Sequence, residues 1–254
     1  MEYFKKLWYK FLKAKEGQTI DIDKLVLERV IFEIRYAHGY LYWDNCGKIW
    51  KELSLKWPNI KLDEVSTSKA RLTLSKDETP IGLGFSPNKA DTTQDYPRRL
   101  NTYVEFTSDA IQNICKYLEI ETFTRVGNRF YYIYPAKEIN EAFSLISQTG
   151  MVDLKEEKLK LFGKEPRELT LKFTVHGKDM GYNVALSALS RELNIEVFTP
   201  YRTKIETPWF VDKCLLIDID RFTLNPVALE SLRCDEFILS TEHEIKKIIS
   251  SLFE

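Results

Sequence analysis

VLERVIFEIRY, residues 26–36, decides the fold class. Its period is two: Val30, Phe32, Ile34 and Tyr36 fall on one side, and Ile31, Glu33 and Arg35 on the other. No helical stripe accommodates that pattern, so the segment reads as a strand with one oily face and one charged face. Two further apolar segments repeat the device. ETFTRVGNRFYYIYP (121–135) carries Arg125 and Arg129, and VDKCLLIDIDRF (211–222) carries Asp218 and Asp220. Even spacing within each pair puts both charges on one face of their strand.

Shorter strands surround these. ARLTLS (70–75) alternates, as do ELTLKFTV (168–175) and GYNVALSAL (181–189) on either side of HGKDMG, which reads as a hairpin turn. Helices fall between and after the strands. One carries Cys46, Ile49, Trp50, Leu53 and Trp57, with Asp44 as its N-cap and Pro58 past its end. Another carries Ile111, Ile114, Cys115 and Leu118 behind Ser108 as a cap. A third carries Ile139, Ala142, Phe143 and Ile146. Thr241 and Glu244 read as a capping box before a final helix whose core face is Ile245, Ile248, Ile249, Leu252 and Phe253. Residues 76–101 hold three prolines and two glycines and read as an irregular loop. Gly127-Asn128 reads as a turn or a bulge, or as part of one continuous strand that puts Phe123, Arg125, Arg129, Tyr131 and Ile133 on one face.

Runs of strands with helices between and after them define an α+β class, with a mainly antiparallel sheet and flanking helices. The polar stretch near 153–167 marks a boundary between two similar-sized subdomains, 18–150 and 151–254. A separate amphipathic helix over 1–17 precedes them. In that helix Phe4, Leu7, Trp8 and Phe11 form an apolar stripe, and Lys5, Lys6, Lys10 and Lys13 lie away from it. The stripe reads as a docking surface for the chain's own core, a protein partner or a second copy. A membrane-surface anchor is the alternative, since basic amphipathic helices with Trp and Phe serve that role.

Composition excludes more than it selects. A net charge of -1 gives no global attraction to nucleic acid or anionic lipid, and no nucleic-acid-binding module accompanies it. Cys46, Cys115, Cys214 and Cys234 show no C-x-x-C spacing, and no signal peptide is visible, so reduced thiols and a cytoplasmic protein are expected. His38, His176 and His243 lack zinc-site spacing. IGLGF (81–85) has neither the Lys-Ser/Thr of a P-loop nor the third glycine of a dinucleotide fingerprint. No catalytic residue is assigned.

LERVIFEIRY, FTRVGNRFYYIYP and LLIDIDRFTLNP, in that order and followed by a terminal helix, resemble a sporadically distributed bacterial family of about this length with no established activity. The matching positions are Glu33, Arg35 and Tyr36; Arg125, Gly127, Arg129 and Phe130; and Asp218 and Asp220. The extra basic N-terminal helix and Phe130-Tyr131-Tyr132 depart from the family pattern. The resemblance implies a cytoplasmic accessory protein and supplies no catalytic residues.

The charged pairs admit two readings. In the first, Glu33, Arg35, Arg125, Arg129, Asp218 and Asp220 neutralise one another across adjacent strands, and no cofactor is needed. The protein is then an interaction or regulatory component of a bacterial accessory system, of defence or toxin–antitoxin type. In the second, Arg125 and Arg129, with Glu33 and Arg35 beside them, line an anion pocket. Asp218 and Asp220 hold a divalent metal, and the protein is a metal-dependent phosphate- or nucleotide-handling enzyme. The tandem Glu-x-Glu-x-Lys start of triphosphate-tunnel enzymes is absent, since Ile31 and Arg35 occupy the even positions around Glu33. Convergence of these side chains on an open cavity would favour the second reading.

Overall fold

The computed structural model describes residues 20–75, 79–152, 168–191 and 213–254. The proposed N-terminal helix, with Phe4, Leu7, Trp8 and Phe11, lies outside the described residues.

The opening strand is β1 (Val26–Arg35), and its alternation is realised: Val30, Phe32 and Ile34 are fully buried while Arg35 is exposed. Helix α1 (Tyr42–Lys56) follows, then β2 (Ile60–Val65), β3 (Ala70–Leu74), β4 (Ile81–Phe85) and β5 (Lys89–Asp95). Helix α2 (Asn101–Leu118) leads into the short β6 (Thr122–Phe123) and the long β7 (Arg125–Pro135). After α3 (Ile139–Gln148) come β8 (Leu169–His176), β9 (Met180–Ser190), β10 (Lys213–Thr223), β11 (Val227–Ala228) and the terminal α4 (Cys234–Leu252).

Nine strands form one antiparallel sheet in the order β2-β3-β4-β5-β1-β7-β10-β9-β8, and β6 pairs with β11 apart from it. The class is α+β with a mainly antiparallel sheet. Strands of the first half occupy one side of the sheet and strands of the second half the other. The two halves meet where β7 pairs with β10, and α4 returns to pack beside α2. Core side chains from both halves belong to one continuous cluster on the helical face, including Phe32, Phe130, Ile219, Ile111 and Ile249. Burying one face of each strand against helices is what fixes the register, since a one-residue slip would turn the charged set inward.

Four local expectations need correction. Residues 76–101 contain the β4–β5 hairpin, and α2 begins at Asn101. Its strand chemistry is masked because Gly82 and Gly84 alternate with Ile81, Leu83 and Phe85. The glycines lie on the charged face, where a Cβ at Gly84 would meet the Asp91 carboxylate at 3.2 Å. Ser108 therefore lies mid-helix rather than at a cap. Asp44 falls in the first turn of α1, one turn too late to cap it. Thr241 and Glu244 lie inside α4, which starts at Cys234, and both engage Arg221 of β10 instead.

Gly127-Asn128 is not a turn. The β7 ladder runs unbroken through it, with Gly127 opposite Glu33 on one side and Phe222 on the other. Phe123 is buried in β6, and the charged face of β7 comprises Arg125, Gly127, Arg129 and Tyr131.

Candidate functional site

The three charged strands are neighbours: β1, β7 and β10 lie side by side at the centre of the sheet. Their charges share the face opposite the helices and form two adjacent sets. Arg125 donates from Nη1 to Glu33 Oε1 at 2.9 Å and from Nη2 to Asp220 Oδ2 at 2.7 Å. Arg35 donates from Nε to the same Glu33 oxygen at 2.7 Å. Arg129 grips Asp218 with both arms of its fork, Nε to Oδ1 at 2.7 Å and Nη2 to Oδ2 at 2.6 Å. Lys89 of β5 approaches Glu33 Oε2 at 3.5 Å and Asp91 Oδ1 at 3.7 Å.

Gly127 makes this arrangement possible. It lies flat between Glu33 and Phe222, so Arg125 can run along the sheet surface to reach Asp220. A Cβ there would meet Arg125 Nη1 at 3.3 Å and Asp220 Oδ1 at 3.4 Å. Glycine inside a strand marks such a close approach. The Arg125 guanidinium lies 4.5 Å from the centre of the Phe222 ring, and that of Arg129 lies 4.7 Å from the Tyr131 ring. Each cation is thus held by a carboxylate and an aromatic face.

Electrostatics follow from burial. Side chains of Glu33, Arg125, Asp218 and Asp220 are 13–19% exposed, whereas Arg129 and Arg35 are 42% and 53% exposed. The Asp218 hydrogen bonds hold Arg129 more firmly protonated than an ordinary arginine. Desolvation, followed by the neighbouring Glu33 charge, raises Asp91 above the usual carboxylate range against the pull of Lys89.

The sheet face therefore brings together the six charged residues singled out on the three strands. Glu33, Arg35, Arg125 and Asp220 form one chain of contacts, and Arg129 and Asp218 form an adjacent pair. What it does not assemble is a metal centre. Among the described residues no group of three or more His, Cys, Asp or Glu side chains is placed to hold an ion. Asp218 spends both oxygens on Arg129, and one oxygen of Asp220 accepts from both Arg125 and Asn183.

Several partners escaped the sequence reading. Asn183 donates to Asp220 at 3.0 Å, Phe222 and Tyr131 support the guanidiniums, and Lys89 and Asp91 extend the set to β5. All share the period-two face of their strands, but strand order is needed to bring them together. A second polar cluster occupies the helical face. There Arg221 bonds Thr241 at 2.9 Å and Glu244 at 3.0 Å, and the Tyr182 hydroxyl donates to Glu244.

No family model matches the chain, and no curated protein matches it. Among solved structures it is similar to a T6SS protein of Pseudomonas aeruginosa, at 14% identity and a TM-score of 0.24. The likeness covers 61% of this chain and 58% of that one, so the chain spans little more than half of its length. No helix among the described residues is long and apolar enough to cross a membrane.

Proposed function

We propose that this chain is a cytoplasmic interaction or regulatory protein of a bacterial accessory system, of defence or toxin–antitoxin type. One observation carries the reading: the partly buried charges of the sheet face are engaged with one another. Arg125 is spent on Glu33 and Asp220, and Arg129 on Asp218. A metal would have to displace a guanidinium, and a phosphate would have to displace a carboxylate. Either exchange breaks charge-assisted hydrogen bonds of the strong class. The accessory role rests on the resemblance of the Glu33–Arg35, Arg125–Arg129 and Asp218–Asp220 segments to a sporadic bacterial family.

Thermal unfolding of the wild type and of the Arg125→Ala/Arg129→Ala variant, with nucleotides, polyphosphate and divalent metals, tests this. The variant is expected to melt well below the wild type, with no ligand shift that depends on the two arginines. A ligand that stabilises the wild type but not the variant would instead support a metal-dependent phosphate-handling enzyme. Docking through the N-terminal stripe is tested separately by light scattering of the full chain. Leu7→Glu/Trp8→Glu is expected to reduce the mass if the stripe joins two copies. A monomeric wild type would remove self-association from the reading.

A further inference from the structure

Large apolar side chains open to solvent are unevenly spread over the surface. Of the nine among the described residues, six lie between positions 40 and 65: Tyr40, Trp43, Trp50, Leu55, Leu62 and Val65. Helix α1 buries Tyr42, Ile49 and Leu53 and leaves Trp43, Trp50 and Leu55 outside. Strand β2 runs back beside it, from Ile60, whose N–H donates to Trp57 O, toward Ser66, whose carbonyl accepts from the Tyr42 hydroxyl. Leu62 and Val65 pair with the core residues Leu72 and Ala70, so they point to the side of the sheet that α1 covers. Trp43 is fixed beside them by a hydrogen bond from Nε1 to Thr67 O at 2.9 Å.

This face is large enough to be an interface. Trp43, Tyr40 and Leu55 are 55%, 66% and 74% exposed. At roughly 200 Å² per aromatic side chain, the open parts of Tyr40, Trp43 and Trp50 alone reach about 300 Å², where an apolar patch marks an interaction site. With Leu55, Leu62 and Val65 it supplies the greater part of the roughly 800 Å² per partner that a stable complex buries. β2 ends the sheet on this side, but the bulge between Leu62 and Glu64 and the exposed Lys61 guard its edge. The helix rather than a strand ladder therefore carries the contact.

Gly47 says what the occupant is. It lies inside α1 between the two tryptophans, and a Cβ there would meet nothing within 4 Å. A mid-helix glycine weakens its helix, and the fold itself makes no use of this one. A small residue on an exposed helical stripe lets a second helix approach closely. The residues around Gly47 are matched for a second α1: Trp43 and Asp44 precede it by four and three positions, and Trp50 and Lys51 follow it by three and four. At about 3.6 residues per turn, both tryptophans fall on one side of Gly47 and Asp44 and Lys51 on the other.

We propose that this face joins two copies of the chain, their α1 helices packed antiparallel at Gly47 about a two-fold axis. Trp43 of each copy then lies level with Trp50 of the other, and Asp44 with Lys51. Asp44 and Lys51 are both exposed, and neither has an ion-pair partner among the described residues. Parallel helices would instead set each tryptophan against a charged side chain, so chemistry selects the antiparallel arrangement. The contact is isologous and closed, as a two-fold dimer requires. It goes beyond the interaction role proposed above and does not rest on the N-terminal stripe.

Sedimentation of the full chain over a range of concentrations tests it. The wild type is expected at twice the mass of one chain. Trp50→Glu should shift it to a monomer. Gly47→Gln, which meets no atom of its own fold, should shift it the same way. Asp44→Lys should weaken the dimer about tenfold by turning two attractions into repulsions, and the Asp44→Lys/Lys51→Asp exchange should restore it. Circular dichroism and melting establish that each variant is folded. Leu7→Glu/Trp8→Glu should leave this dimer intact. A monomeric wild type overturns the proposal and leaves the face to a different protein. A dimer that survives both Trp50→Glu and Gly47→Gln overturns it too, and failure of the exchange to restore association overturns the antiparallel arrangement.

Discussion

Arg125 reaches Asp220 by lying across Gly127, with Nη2 2.7 Å from Oδ2, although the residue directly opposite Asp220 in the ladder is Arg129. Arg129 for its part reaches Asp218, which is opposite Tyr131. Both arginines thus slant along the sheet in the same sense, and the glycine supplies the floor for the longer reach. Gly127→Val should push Arg125 off that floor. We expect a loss of about 1–3 kcal/mol, the range for overfilling a packed site, measured by urea unfolding.

Burial separates the worth of the arginines. Arg125→Ala leaves Glu33 and Asp220 as neighbouring carboxylates, each less than a fifth exposed, with their shared cation removed. Breaking a buried pair costs about 3–5 kcal/mol, and partial exposure should bring this one to about 2–3 kcal/mol. Arg35 is 53% exposed, so Arg35→Ala should cost no more than about 0.5 kcal/mol. Equal losses for the two variants would contradict the geometry.

Tyr132→Phe removes a buried hydroxyl that has no hydrogen-bond partner among the described residues. The variant should be more stable than the wild type by about 1 kcal/mol. Differential scanning calorimetry reads the effect. A destabilised variant would mean that the hydroxyl already has a partner.

Asp91 has its pKa raised in the folded state, chiefly by desolvation. Between the unfolded value and the raised folded value the native state binds more protons, so this group's contribution to stability falls as pH rises through that window. Asp91→Asn should therefore raise the melting temperature at neutral pH and flatten the profile above pH 4. Parallel profiles for the two proteins would remove Asp91 from the account.

Cysteine labelling checks the core. Burial pushes the thiols of Cys115 and Cys234 up to about 12, and Cys214 is fully buried. Cys46, half-buried on α1, should be the one thiol of the four that reacts with maleimide at neutral pH. The other three should need denaturant. Rapid labelling of a second cysteine would place that residue nearer solvent.

Much of this was legible from local pattern. Period two in VLERVIFEIRY and VDKCLLIDIDRF identifies strands and says which side chains face the core. The stripe Ile245, Ile249 and Phe253 identifies the terminal helix. Failures came where glycine or polar residues had two meanings. The glycines of IGLGF look like loop residues, yet they leave room for the side chains of β5. Gly127 looks like a turn, yet it is the bed for Arg125. Thr241 and Glu244 match a capping box, yet Arg221 claims both.

Alternation is a local property, because successive Cβ atoms of a strand point to opposite faces whatever lies beside it. The chain by itself therefore determined that Glu33, Arg35, Arg125, Arg129, Asp218 and Asp220 share charged strand faces, and that the class is α+β. Strand order is not local. It depends on which faces bury together against the helices, over separations such as the 95 residues between Arg125 and Asp220. Only the tertiary structure decided that β1, β7 and β10 are neighbours and that their charges close on one another. It alone set Arg221 of β10 against Thr241 and Glu244 of α4, since strand and helix must pack before those groups meet.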